Sequence, residues 1–305
     1  MPRNALRRLL PLLLLAAVGA GAAPPSAAPG SVWAKELAEW KQWREGRLRQ
    51  PDSWLTLVGL AWLQPGDNLV GSDPASRVVL PKSAPARLGV LRLEGERVTF
   101  VAAPGAAVTS KGAAVSTLAL ASDAEGEPTP LASGSILFYL IRRSDRLAVR
   151  VKDSAAAALR EFQGLDYYPA DLKWRVEARF EPAPPGTQIE VPNALGFTEK
   201  TPAPGHVVFE LGGARHRLLA LDDTGDGRLF LVFGDQTNAR ETYGGGRFLY
   251  TDPPVDGRVT IDFNRAYNPP CVFSPYATCP LPPPGNRMPI AVEAGEKKYA
   301  LAVHS

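Results

Sequence analysis

Residues 205–233 read GHVVFELGGARHRLLALDDTGDGRLFLVF. Two apolar, β-prone runs flank Gly212-Gly213, and Asp222-Asp223-Thr224-Gly225-Asp226-Gly227 separates the second from a third. Gly and Asp supply the left-handed backbone positions of tight turns, so the stretch predicts strands over 206–210, 217–221 and 228–233, the last two joined by a hairpin. The Asp-rich turn does not fit a calcium loop, because the twelfth position, where such a loop needs a bidentate Glu, is Phe233.

The same punctuation extends in both directions. Strands are predicted at 77–80, 87–93, 97–102, 113–120, 136–142 and 147–151, then at 174–180, 188–191, 248–250, 258–263, 288–292 and 298–303. Residues 53–63, SWLTLVGLAWL, read as a buried strand pair kinked at Gly59. Residues 121–134 read as a loop, and 154–162 as a short helix capped by Ser154. Turn signals every 8–12 residues predict a mainly β chain of two packed sandwich- or barrel-like halves. Over residues 31–50, Trp33, Leu37, Trp40 and Arg44 recur at helical spacing between Ser31, a suitable cap, and Pro51, a stop. One N-terminal amphipathic helix is therefore expected. The expected halves are 31–152 and 153–305.

Arg3, Arg7 and Arg8 precede an apolar run ending in Ala20-Gly21-Ala22, the pattern of a secretory signal peptide cleaved after Ala22. Residues 1–22 are read as that signal and 23–30 as a flexible tail, which makes the protein exported, periplasmic or extracellular. The net charge of +3 lies in this leader, since the remainder holds 31 basic and 31 acidic residues. Nucleic-acid binding is excluded as an expectation, because it needs a surplus of Lys and Arg. No later run is long enough for a transmembrane anchor. The 45% hydrophobic content supports a packed core.

His206, His216 and His304 have no metal-ligand spacing, and no cofactor fingerprint or Gly-x-Ser-x-Gly is present. Neither metal nor cofactor is expected, and no catalytic residue is nominated. Cys271 and Cys279 are the only cysteines. In an exported chain a disulfide is the first reading, ahead of free thiols and metal ligation.

The densest segment is 261–297, IDFNRAYNPPCVFSPYATCPLPPPGNRMPIAVEAGEK. Its prolines remove backbone donors and fix φ, so a long Pro/Asn/Cys loop is expected over 264–289, with Asn and Asp side chains satisfying its backbone. Long ordered loops in compact domains are commonly functional. Asp262, Asn264, Arg265, Tyr267, Asn268, Asn286, Arg247, Tyr243, Glu296 and Lys297 are the candidate binding residues. A small polar ligand, a glycan or a peptide is the expected partner, with Tyr276 as a further aromatic surface. Two alternatives stand beside this reading. One is hydrolysis using the carboxylates Asp262, Glu293 and Glu296, which requires a facing pair. The other is a structural or interaction role in the cell envelope.

The run Asp262-Phe263-Asn264-Arg265-Ala266-Tyr267-Asn268-Pro269-Pro270-Cys271, followed by Thr278-Cys279-Pro280-Leu281-Pro282-Pro283, Asn286-Arg287 and Ala294-Gly295-Glu296-Lys297, resembles the signature of domain-of-unknown-function family 1684. So do residues 53–63, Gly71-Ser72-Asp73, Phe162-Gln163-Gly164-Leu165, Tyr168-Pro169 with Trp174, residues 233–237 and residues 241–249. The resemblance extends over nearly all of the chain after the leader and implies no reaction or ligand. Residues 53–122 also resemble the forkhead-associated β-sandwich through Leu69-Val70-Gly71-Ser72-Asp73-Pro74 and the turn at Lys111-Gly112. Ser72 stands where that family has Arg, Lys111 where it has Asn, and no His occurs in the stretch. The scaffold is implied there, and phosphopeptide reading is not.

Overall fold

The computed structural model describes residues 29–299. The predicted signal peptide, most of the tail and His304 lie outside them. Helix α1 (Pro29–Leu48) opens the described chain. It begins before Ser31 and buries Leu37, Arg44 and Leu48, with Trp33 and Trp40 half-buried on the same stripe. That is the face the sequence spacing predicts.

In chain order the strands are β1 (Leu57–Trp62), β2 (Gly66–Gly71), β3 (Val78–Val79), β4 (Gly89–Glu94), β5 (Arg97–Ala102), β6 (Thr109–Ser110), β7 (Ala113–Ala114), β8 (Thr117–Leu120), β9 (Leu131–Ser133), β10 (Ile136–Arg143) and β11 (Arg146–Asp153). A one-turn helix α2 (Ala157–Arg160) leads to β12 (Arg175–Pro182), β13 (Gln188–Pro192), β14 (Thr198–Pro202), β15 (Gly205–Leu211), β16 (Ala214–Ala220), β17 (Leu229–Phe233), β18 (Arg247–Thr251) and β19 (Arg258–Asp262).

A six-stranded sheet, β1-β11-β10-β9-β6-β7, faces a five-stranded sheet, β3-β2-β4-β5-β8. Val70, Leu91, Val98 and Phe100 from one pack against Phe138, Leu140, Val149 and Val151 from the other. Phe100 and Phe138 meet edge to face at 5.9 Å, the arrangement their quadrupoles favour. Further along, a four-stranded sheet, β16-β15-β12-β19, covers the ribbon β17-β18. A second ribbon, β13-β14, is a sheet of its own. No sheet among the described residues closes into a barrel, so of the two expected forms the sandwich is the one adopted.

β17 explains its own sequence. Leu229, Leu231 and Phe233 pack under the four-stranded sheet, while Phe230 and Val232 turn the other way, against Val191, Leu57 and Cys279. A strand buried on both faces reads as a continuous apolar run.

Several expectations are corrected. Residues 53–63 form a 3₁₀ turn, Trp54–Thr56, and the single strand β1, whose bulge lies between Leu57 and Gly59. The stretch at 113–120 splits into β7 and β8, and 121–134 contains β9. The short helix starts after Ala156 and not at Ser154. β14 was not foreseen: its charged sequence TEKTP has little β-propensity and forms by pairing with β13. Residues 288–292 are irregular.

Candidate functional site

The Pro-rich segment is braced by its own polar side chains. Asp262, at the end of β19, accepts the Asn264 amide at 3.1 Å and so caps a 3₁₀ turn, Phe263–Arg265. Its other oxygen accepts the Trp33 indole N–H at 2.8 Å. Asn264 donates to the Asp171 carbonyl at 2.9 Å and accepts the Asp171 amide at 3.1 Å. Asn286 donates to the Leu219 and Val232 carbonyls, both at 2.9 Å, and accepts the Leu219 amide at 2.8 Å. Cys271 and Cys279 form a disulfide, with Cα atoms 6.1 Å apart. Neither cysteine is free.

Two buried ion pairs tie this segment to the rest of the molecule. Arg247, wholly buried, donates to Asp235 and to the Val292 carbonyl, both at 2.8 Å, and also to the Ala294 carbonyl. Asp235 is further held by Thr237 and by the Val292 amide. From α1, Arg44 donates to Glu296 at 2.9 Å and to the Asn268 carbonyl at 3.0 Å. Glu296 also accepts the Asn268 amide at 2.7 Å. Gly295, at φ +76°, places Glu296 there, and a Cβ at Gly295 would collide with the Ala266 carbonyl oxygen.

Two clefts adjoin this frame and share a wall of Arg44, Trp54, Tyr250 and Tyr267. One, of about 490 Å³, opens toward Asn193, Glu199, Asp223, Asn268 and Thr278. The other, of about 690 Å³, lies beside α1 and reaches Trp40, Arg47, Lys152, Arg228 and Arg265. Tyr250 and Tyr267 stack with centroids 6.4 Å apart and planes 14° from parallel, and Phe230 continues the stack behind Tyr250. The Arg44 guanidinium lies 4.8 Å over Tyr267. Burial, first, pushes the Tyr250 phenol well above its ordinary value, with nearby Tyr267 and Asp223 adding to it. The Tyr250 hydroxyl donates to Asp223, whose carboxyl burial in turn pushes upward.

Residues 160–297 match the family model described as Protein of unknown function (DUF1684). This part of the chain is a DUF1684 region. It includes the whole Pro-rich segment but leaves residues 53–63 and 71–73 outside, so the match is narrower than the sequence resemblance. An uncharacterized protein of Haloarcula marismortui, solved in solution by NMR, is 32% identical over 48% of this chain and 80% of its own, with a TM-score of 0.40. A forkhead-associated domain, described for phosphothreonine-dependent interactions, is 16% identical over 30% of this chain and 92% of its own, with a TM-score of 0.22. None of the curated proteins matches the chain.

Of the candidate residues, the DUF1684 region brings only Arg265, Tyr267 and Asn268 to the clefts. Asp262, Asn264, Asn286, Arg247 and Glu296 serve the frame just described. Tyr243 packs in a cluster with Phe162 and Phe273, and Lys297 lies 4.7 Å over the Tyr168 ring. Tyr276 is exposed. The hydrolytic carboxylates have separate environments: Asp262 caps a turn, Glu296 is wholly buried against Arg44, and Glu293 is exposed. No group of His, Cys, Asp and Glu suited to a metal occurs among the described residues. Sequence reading missed Trp54, Lys152, Asp223 and Tyr250.

Proposed function

We propose that the chain binds a small polar ligand, a glycan or a short peptide being the fitting classes, in the paired clefts beside α1, and that it does so outside the cytoplasm. The stacked Tyr250–Tyr267 wall, common to both clefts, carries this reading. A rigid aromatic wall gives a sugar ring or a peptide group an apolar surface to pack against, and the surrounding amides, carboxylates and guanidinium groups fix its polar edge. The export reading rests on the leader pattern at residues 1–22 and is compatible with the Cys271–Cys279 disulfide, a bond that persists in oxidising compartments. No helix among the described residues is long and apolar enough to cross a membrane.

A thermal-shift screen of sugars and short peptides tests the reading, because a ligand bound only by the native state raises the melting temperature. A hit is expected whose shift disappears in Tyr250→Leu. A hit that survives both Tyr250→Leu and Tyr267→Leu sits elsewhere and overturns the assignment.

A further inference from the structure

β11 has one apolar face and one cationic face, both buried. Leu147, Val149 and Val151 enter the sandwich core. Arg150 and Lys152 point the opposite way, 6% and 9% exposed. The Arg150 guanidinium lies 5.2 Å from the Trp54 ring centroid, and its Nε has no hydrogen-bond acceptor. The Lys152 ammonium donates to the Asp52 carbonyl and lies 5.5 Å over the same ring. Neither residue forms an ion pair with a carboxylate among the described residues. Buried cations are normally paired, because losing hydration without a counter-charge is costly. Aromatic faces offset only part of that cost.

Lys152 lines the larger cleft, together with Arg44, Arg47, Arg228 and Arg265, and only Asp52 and Asp252 supply negative charge there. Arg44 is neutralised by Glu296, Arg47 faces Asp52, Arg228 faces Asp226, and Arg265 approaches Asp262 and Glu36. Among the described residues around this cleft, the cations left without an ion-pair partner are Lys152 and Arg150, both beside Trp54, and Asp252 is the one carboxylate of its lining outside an ion pair.

We propose that this cleft takes an organic acid bearing a ring, a sugar acid, whose carboxylate meets Lys152 and whose ring packs against the Trp54, Tyr250 and Tyr267 side chains that line it. Arg150 is a positioning residue that holds Trp54 and adds to the positive field. The inference rests on the binding reading above and narrows it by charge.

Isothermal titration with sodium glucuronate, glucose and sodium phosphate separates the possibilities. Glucuronate is expected to bind at least about tenfold more tightly than glucose, the effect of one charge-assisted contact. The margin should shrink as salt is raised, and phosphate alone should bind more weakly than glucuronate. Lys152→Met should abolish the preference while raising the melting temperature of the free protein, since it removes a buried charge without a counter-ion. Lys152→Gln provides the same comparison if the Met variant fails to fold. Equal binding of glucuronate and glucose, or a preference that survives both variants, overturns the anion inference and leaves the cleft reading standing. Phosphate binding as tightly as glucuronate overturns the ring-bearing class. No heat with any of the three overturns the sugar-acid inference, and the thermal-shift screen then decides the binding reading on its own.

Discussion

Asp262 is a carboxylate that the sequence places in a loop rich in binding-type residues and that the fold uses as a brace. It holds the Trp33 indole of α1 with one oxygen and the Asn264 amide with the other. Asp262→Ala is therefore expected to lower stability by about 1–3 kcal/mol, the cost of unpairing such donors. Ligand binding should be retained, since Asp262 lines neither cleft; urea unfolding and titration of the same variant check the two halves of that statement. Glu296 is more demanding, being wholly buried against Arg44. Arg44→Met leaves its carboxylate without a counter-ion, and a loss of roughly 3–5 kcal/mol is expected, measured as a shift of the urea midpoint at constant slope. The loop's role was half-legible at this scale. Residue types showed that Asn and Asp would satisfy an irregular backbone. Which of them would also reach a cleft depended on partners such as Arg44 and Asp171, far away in sequence.

At the scale of elements, the disulfide closes a short loop beneath the clefts, and Cys279 itself packs against Phe248 and Val191. The double variant Cys271→Ser, Cys279→Ser is expected to cost about 2–3 kcal/mol by the chain-entropy estimate for a loop of this size. A mass measurement before and after reduction, showing a gain of two hydrogen atoms, checks the bond. The strands flanked by Gly and Asp, such as β5 and β15–β17, were legible because turn chemistry is local. β14 was not, because its pairing with β13 supplies what its composition lacks. β11 was read as a strand but not as part of a site: in sequence a Lys among valines is indistinguishable from a solvated one until Trp54 is found above it.

For the whole molecule, packing around the clefts sets an alkaline limit. Burial pushes the Tyr250 and Tyr267 phenols above their ordinary value of 10.0, and Tyr168, buried and donating to Glu241, is pushed up to about 12. A group whose value is raised by folding adds stability that is complete below its unfolded value and declines above it. Stability should therefore fall as pH rises past about 10. Tyrosinate absorbance of the folded protein should lag behind that of the urea-unfolded chain. Superimposable titration curves would contradict the burial of this aromatic wall.

The location of the ligand is the central claim, and hydrogen–deuterium exchange with and without a bound hit tests it most directly. Protection is expected at three places: Arg44–Thr56 with the end of β11, the turn around Asp223 with β18, and Tyr267–Cys271. Protection confined to the outer face of the four-stranded sheet, around Glu177, Arg215 and Arg258, with none at these segments, would contradict the assignment of the clefts as the binding site.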